Sequence, residues 1–303
     1  MTILRDSEAP LRFDLGLFGL GYESRSIDCF EVKGGSCERL VAIGYKYFQE
    51  ECEYQGNRHV FESGGALVRE VSDEEFGSTL IEALAGLSGI ARPHVLIDIS
   101  VMSRHRLSKA IWVAVHQLPL GSRVQVFYNV AAYVAPPTYA HAVKRFGPII
   151  EELNTVPGRL AQPVSMICGL GYERDKALGA IGSIDPDELF LMTPISLEQA
   201  YDVDSRRNNS ALSRTYPGSM EITYEVAKPF STYIDLKSLI ARLSEKSRVL
   251  ILPLGPKILS AISILLAAEF YPRVVVWRVS SEEKETPVNK LSSGRSLELT
   301  IEV

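Results

Sequence analysis

The segment Gly-Leu-Gly-Tyr-Glu occurs twice in the 303 residues, at 19–23 and again 150 residues later at 169–173. Each copy closes an apolar run, Leu-Gly-Leu-Phe at 15–18 and Val-Ser-Met-Ile-Cys at 164–168. A spacing of this size matches one domain of roughly 150 residues, so what repeats is a whole folding unit and not a short solenoid module.

A second pair of segments recurs at nearly the same offset. His-Val-Leu-Ile-Asp-Ile-Ser-Val-Met-Ser-Arg at 94–104 and Arg-Val-Leu-Ile-Leu-Pro-Leu-Gly-Pro-Lys at 248–257 each read as a buried strand, a short turn and a cation, with Arg104 and Lys257 standing 153 residues apart. Apolar helix patterns follow at 107–118 and 258–270, then β-branched and aromatic runs at 123–134 and 273–279. Second strands are expected at 38–45 and 188–192. Strand, turn, helix and strand, with strands apolar throughout, is what a parallel sheet covered on both faces requires. The expected fold is α/β, two tandem Rossmann-like halves with mostly parallel sheets, related by internal duplication. Residues 136–163, with Pro136, Pro137, Pro148, Pro157 and Pro163, read as the connection, dividing the chain into domains 1–157 and 158–303.

Composition narrows the function classes. A formal net charge of -5 argues against a nonspecific coat on duplex nucleic acid, which needs a basic face. Cys29, Cys37, Cys52 and Cys168 form no C-x-x-C pair and read as reduced structural thiols. No apolar stretch reaches eighteen residues and the first residues carry charges where a signal peptide is apolar, so no membrane association and a cytoplasmic location are expected. The five histidines, His59, His94, His105, His116 and His141, show no metal-ligand spacing, and neither a P-loop nor a G-x-S-x-G elbow occurs. No metal and no cofactor are expected.

In a doubly wound sheet the ligand crevice lies beyond the carboxyl ends of the strands, and both repeated motifs fall at such ends. Gly19, Gly21, Gly169 and Gly171 leave backbone bare there, either to face a phosphate or simply to make a tight turn. Neither copy completes G-x-G-x-x-G, which disfavours a common dinucleotide site. Glu23 and Glu173 read as residues of a helix's first turn, either capping it or accepting a ribose hydroxyl or base edge. Arg25 and Arg174 beside them offset that charge or grip phosphate, and Tyr22 and Tyr172 offer rings for stacking or for packing. Asp98, Ser100, Ser103 and Arg104 form the other rim of the first crevice; Gly255, Pro256 and Lys257 form that of the second. A cation opening a helix opposes the dipole and invites an anion. The polar stretch 202–214 reads as a loop over the second crevice. The first half carries the richer chemistry, with Glu23 and Asp98 as its candidate catalytic carboxylates.

At Leu-Pro-Leu-Gly-Pro-Lys, 252–257, and Asp-Ile-Ser-Val-Met-Ser-Arg, 98–104, the chain resembles the CARF and SAVED group of Rossmann-like sensor domains. The resemblance implies a pocket for a nucleotide or a cyclic or linear oligonucleotide second messenger in bacterial antiphage defence. The 303 residues leave no effector segment over, so the effector is expected to be a separate partner chain, and a homodimer is left open. An enzyme acting on a nucleotide or phosphorylated sugar, and a structural subunit of a defence complex, are the other two readings.

Overall fold

A computed structural model describes residues 1–5, 12–136, 145–154, 162–280 and 287–303. In chain order the first elements are β1 (Thr2–Leu4), β2 (Phe13–Gly19), α1 (Asp28–Lys33), β3 (Cys37–Tyr45), α2 (Tyr54–Ser63), β4 (Leu67–Val71), α3 (Asp73–Ala85), β5 (His94–Asp98), α4 (Arg104–Gln117) and β6 (Arg123–Ala131). Then come β7 (Arg145–Pro148), β8 (Val164–Gly169), α5 (Lys176–Ile184), β9 (Glu188–Ile195), α6 (Gln199–Asn209), α7 (Leu212–Thr215), β10 (Met220–Glu225), α8 (Pro229–Leu243), β11 (Arg248–Pro253), α9 (Lys257–Glu269), β12 (Val274–Ser280) and β13 (Ser292–Glu302).

Two sheets result, ordered β1-β13-β6-β5-β2-β3-β4 and β10-β9-β8-β11-β12-β7. Within each, five strands run parallel, and the first of them, β2 or β8, sits where the order reverses. The repeated glycine turn therefore leaves each sheet at its switch point, between the ends of β2 and β5 in one and of β8 and β11 in the other. Both halves are Rossmann-like α/β units, as the repeat implies. Their first strands are buried along almost their whole length, the pattern of a sheet covered on both faces.

The chain divides into unit 1, Met1–Ala132 with Glu285–Val303, and unit 2, Tyr133–Lys284. This differs from a cut at residue 157, for two reasons. β7, inside the proline-rich segment read as a connection, pairs antiparallel with β12 and closes the edge of the second sheet. β13, from the far end of the chain, pairs antiparallel with β6 and belongs to the first sheet, with β1 on its other side. Each sheet thus carries an antiparallel strand beside its last parallel strand, β13 next to β6 and β7 next to β12, but the two are supplied from different places in the chain, so the sequence repeat does not show them.

Local signals set the helix starts. Ser72 and Glu75 close a reciprocal capping box on α3, and the Ser103 hydroxyl accepts the Arg106 N–H at 3.1 Å to cap α4. Among the described residues no helix is long and apolar enough to cross a membrane.

Candidate functional site at the sheet switch points

The glycines of both turns answer first to packing. A Cβ at Gly19 would lie 3.0 Å from Met102 Cγ, and one at Gly21 would lie 3.1 Å from Val101 Cβ, so the loop after β5 lies directly on the turn after β2. In unit 2 the fit is tighter: a Cβ at Gly171 would stand 2.7 Å from the Leu254 carbonyl oxygen, one at Gly255 2.9 Å from that of Leu170, and one at Gly169 2.2 Å from a Leu259 methyl. The two loops of each switch point thus touch, and Leu254 N–H donates to the Gly169 carbonyl at 2.8 Å. Arg104 and Lys257, which open the helices just beyond those loops, stand on the same rim as the turns.

The turn amides do not sit at a helix N-terminus as expected. Gly21 N–H donates to Ser26 Oγ at 3.1 Å, and that hydroxyl donates to the Gly19 carbonyl at 3.0 Å. Glu23 is extended and precedes one 3-10 turn, Ser24–Ser26, while α1 starts only at Asp28; Glu173 likewise stands ahead of Asp175, the left-handed residue before α5. Neither glutamate caps a helix, because the chain needs several residues to turn away from the sheet before helical geometry begins.

Glu23 instead pairs with Arg25, Nε to Oε2 at 2.6 Å, both side chains being nearly buried. Arg25 also donates to the Asn129 carbonyl at the end of β6. Asp98, fully buried at the end of β5, accepts from the Ser100 N–H at 2.9 Å and from the Ser100 hydroxyl, which accepts the Asn129 N–H at 2.8 Å. Burial raises the Tyr128 pKa; nearby Arg25 and Arg104 pull it down and Glu23 pushes it up, so all four groups share one neighbourhood. Unit 1 therefore gathers Glu23, Arg25, Asp98, Ser100, Arg104, Tyr128 and Asn129 across the ends of β2, β5 and β6.

Unit 2 gathers a different set, in which the nearly buried Asp204 of α6 accepts from the Tyr133 hydroxyl and pairs with Arg207. Glu173 pairs with Lys176, and the exposed Arg174 pairs with Asp175 at 3.3 Å. Tyr172 packs edge-on against Tyr201, ring centres 5.0 Å apart, and Tyr201 against Tyr133 at 5.1 Å. No protein-family model matches the chain, and no curated protein matches its sequence.

Sequence reasoning passed over three groups. Asn57 Nδ2 donates to the carbonyls of Gly21 and Glu23, both at 2.9 Å, and Asn209 Nδ2 donates to the Gly171 carbonyl at 2.8 Å. These asparagines follow the second glycine of each turn by 36 and 38 residues, a third repeated feature that a search at a fixed offset of 150 misses because of that two-residue slip. Residues 202–214, read as a loop, form α6 and α7, and buried Asp202, Asp204, Ser205 and Asn209 turn their polarity inward. The third group is Arg106, fully buried, bonded to Asp73 at 2.7 Å and to the carbonyls of Gly44 and Val71, with its guanidinium 3.6 Å from the Tyr45 ring centre. Its signal was a second arginine in the first turn of α4.

Among the described residues no group of three or more His, Cys, Asp or Glu is placed to hold a metal. His141 lies outside them. His116 stacks on Trp112 at 4.2 Å, a packing role.

Proposed function

We propose that unit 1 binds a nucleotide-class ligand, a mononucleotide or a cyclic or linear oligonucleotide messenger, at the end of β5, and does so as a sensor or accessory protein of bacterial antiphage defence. Turnover is not part of this role, and a separate partner chain supplies the output in the cytoplasm. The observation that carries the reading is the gathering of two arginines, Arg25 and Arg104, around Tyr128 at one switch point, with Arg104 at the start of α4 and the buried Asp98 and Ser100 at the end of β5. Unit 2 has Lys257 at the matched place, but the buried ionisable groups it adds on α6, Asp202 and Asp204, are acidic and disfavour an anionic guest, which makes unit 1 the primary site.

Thermal shift with a panel of nucleotides and cyclic oligonucleotides tests this. A ligand at a hundred times its Kd stabilises unit 1 by about 2.7 kcal/mol. Arg104→Ala abolishes the shift and Lys257→Ala preserves it. Equal loss in both variants overturns the preference for unit 1, and product formation that disappears in Glu23→Gln or Asp98→Asn replaces the sensor with an enzyme. No shift with any ligand favours the structural-subunit reading.

A further inference from the structure

The polar cluster of unit 1 is roofed. Three contacts tie the segment ahead of β13 across the carboxyl edge of the sheet. Asn289 Oδ1 accepts the Ser24 N–H at 2.8 Å and the Ser24 hydroxyl at 3.0 Å; the Leu291 carbonyl accepts the Ala132 N–H at 2.9 Å; the Ser292 hydroxyl donates to Asn129 Oδ1 at 3.0 Å. Ser24 follows β2, whereas Asn129 and Ala132 stand at the end of β6, and β5 lies between those strands with all three parallel. A segment fastened to both flanks passes over the end of β5, where Asp98, Ser100 and the start of α4 lie. Beneath it Asp98 and Ser100 are 0% exposed, Arg25 3% and Glu23 9%, so a solute does not reach them from this state.

The same segment is set apart from the strand it leads into. Ser292 pairs with Ala131, but the next paired residue is Ser296 with Asn129, a shift in register that marks a bulge over 293–295. Gly294 in this bulge has φ +72°, which suits a hinge, and the Ser293 hydroxyl oxygen is buried with no hydrogen-bond partner among the described residues. Val288 and Leu291 project outward, 47% and 61% exposed, so little apolar burial holds the segment down.

We propose that residues 287–292 are a gate over the unit 1 crevice, latched by Asn289 on Ser24 and hinged at Gly294, which opens as one piece, Ser292 with it, while Ser296–Glu302 of β13 stay in the sheet. Its control of ligand entry rests on the reading of that crevice as a binding site; its motion does not.

Amide exchange resolved by residue in the full chain reads the motion without any ligand. The Ser24 and Ala132 amides, protected by opposite ends of the gate, exchange at matching rates at least about tenfold faster than ladder amides of β6 such as that of Val126. Asn289→Ala accelerates both, including Ala132, which Asn289 does not touch; Ser24→Ala, a smaller change, does the same to a lesser degree at Ala132. An Ala132 rate indifferent to both variants, or equal to that of Val126, overturns the gate. The second arm titrates ATP. Asn289→Ala binds ATP about tenfold more tightly than the native chain, since closing no longer competes. Unchanged or weaker binding in a variant whose exchange shows the gate released overturns its control of entry. Absence of ATP binding in every variant counts against the nucleotide reading, and the exchange arm still decides the gate.

Discussion

In unit 1 the turn after the first strand rests its glycines on the side chains of Val101 and Met102, whereas in unit 2 Gly169 meets a Leu259 methyl, Gly171 meets the Leu254 carbonyl, and Gly255 of the facing loop meets the Leu170 carbonyl. Both turns are held from the other side by an asparagine, Asn57 or Asn209. The duplicated part is thus the way the turn is clamped to its sheet. What diverged is the next layer: both glycines of unit 1 face side chains, while Gly171 of unit 2 faces a carbonyl. Buried charge of both signs, Glu23, Arg25 and Asp98, gathers at the first turn, and the buried ionisable groups beside the second, Asp202 and Asp204, are acidic.

The third residue of the switch-point helix sharpens this most. It is Arg106 in α4 and Leu259 in α9, both about fully buried. Arg106→Ala strands two carbonyls and empties the space of a large, fully buried side chain, at a cost of roughly 3–5 kcal/mol, while the half-exposed Asp73 regains water. Leu259→Ala removes apolar contact alone, roughly 2–4 kcal/mol. The two tryptophans separate the units, Trp112 reporting on unit 1 and Trp277 on unit 2, so denaturant titrations of Trp277→Phe and Trp112→Phe backgrounds read each change where it acts. Should Leu259→Ala prove the costlier, the polar layer of unit 1 is not what holds it.

The clamps come next. Asn57→Ala leaves the Gly21 and Glu23 carbonyls without their donor and destabilises unit 1 by about 2–4 kcal/mol. Asn209→Ala costs about half that, because Asn208 still donates to the Tyr172 carbonyl at 2.7 Å and Ser205 to that of Gly171 at 3.2 Å. Equal losses would mean that the extra donors in α6 hold nothing. A smaller effect still separates the glycines: Gly171→Ala drives a methyl into a carbonyl and costs about 1–3 kcal/mol, while Gly21→Ala meets a movable valine and costs less than about 1 kcal/mol. Reversed magnitudes would break the distinction between the two turns.

Much of this architecture was legible beforehand, and the boundary of legibility is physical. Apolar strand runs and the cations at Arg104 and Lys257 repeat at nearly the same offset, and burial on both faces of a parallel strand leaves no alternation to misread. The edges were not legible. β4 at 67–71 and β10 at 220–225 are half exposed and mix charged with apolar residues, and β13 joins a sheet whose other strands lie more than 160 residues earlier. The site was legible as a location and not as an arrangement. Glu23 and Arg25 are two residues apart in sequence, but their pairing depends on the 3-10 turn that follows, and Asn129 and Asn289 reach the same edge only through strand order. Residues 202–214 misled because polarity was read as solvent exposure, whereas Asn209 and Ser205 spend theirs on the carbonyl of a buried turn.

Near neutral pH the last difference costs nothing and concerns the residue just before each first glycine, Phe18 in β2 and Cys168 in β8. Burial pushes the Cys168 thiol up from 9.0 to about 12, and it pushes Cys37 to about 11 against the opposing pull of Lys33. Since the folded state holds the proton and the unfolded chain releases it near pH 9, the unfolded state binds fewer protons above that point. Stability is fully present below pH 9 and falls as pH rises toward 12, by at most about 1.4 kcal/mol per unit for one thiol. The alkaline limb of unit 2, followed through Trp277, accordingly becomes shallower in Cys168→Ala, read as a slope so that the loss of packing from the smaller side chain does not enter. At pH 8 an aromatic disulfide reagent titrates one thiol of the four promptly, the exposed Cys52, with Cys29 and Cys168 buried and Cys37 held protonated. An unchanged alkaline slope in Cys168→Ala would move the proton to another group of unit 2, and rapid labelling of Cys168 would show that β8 opens to solvent far more readily than a central strand of a doubly covered sheet should.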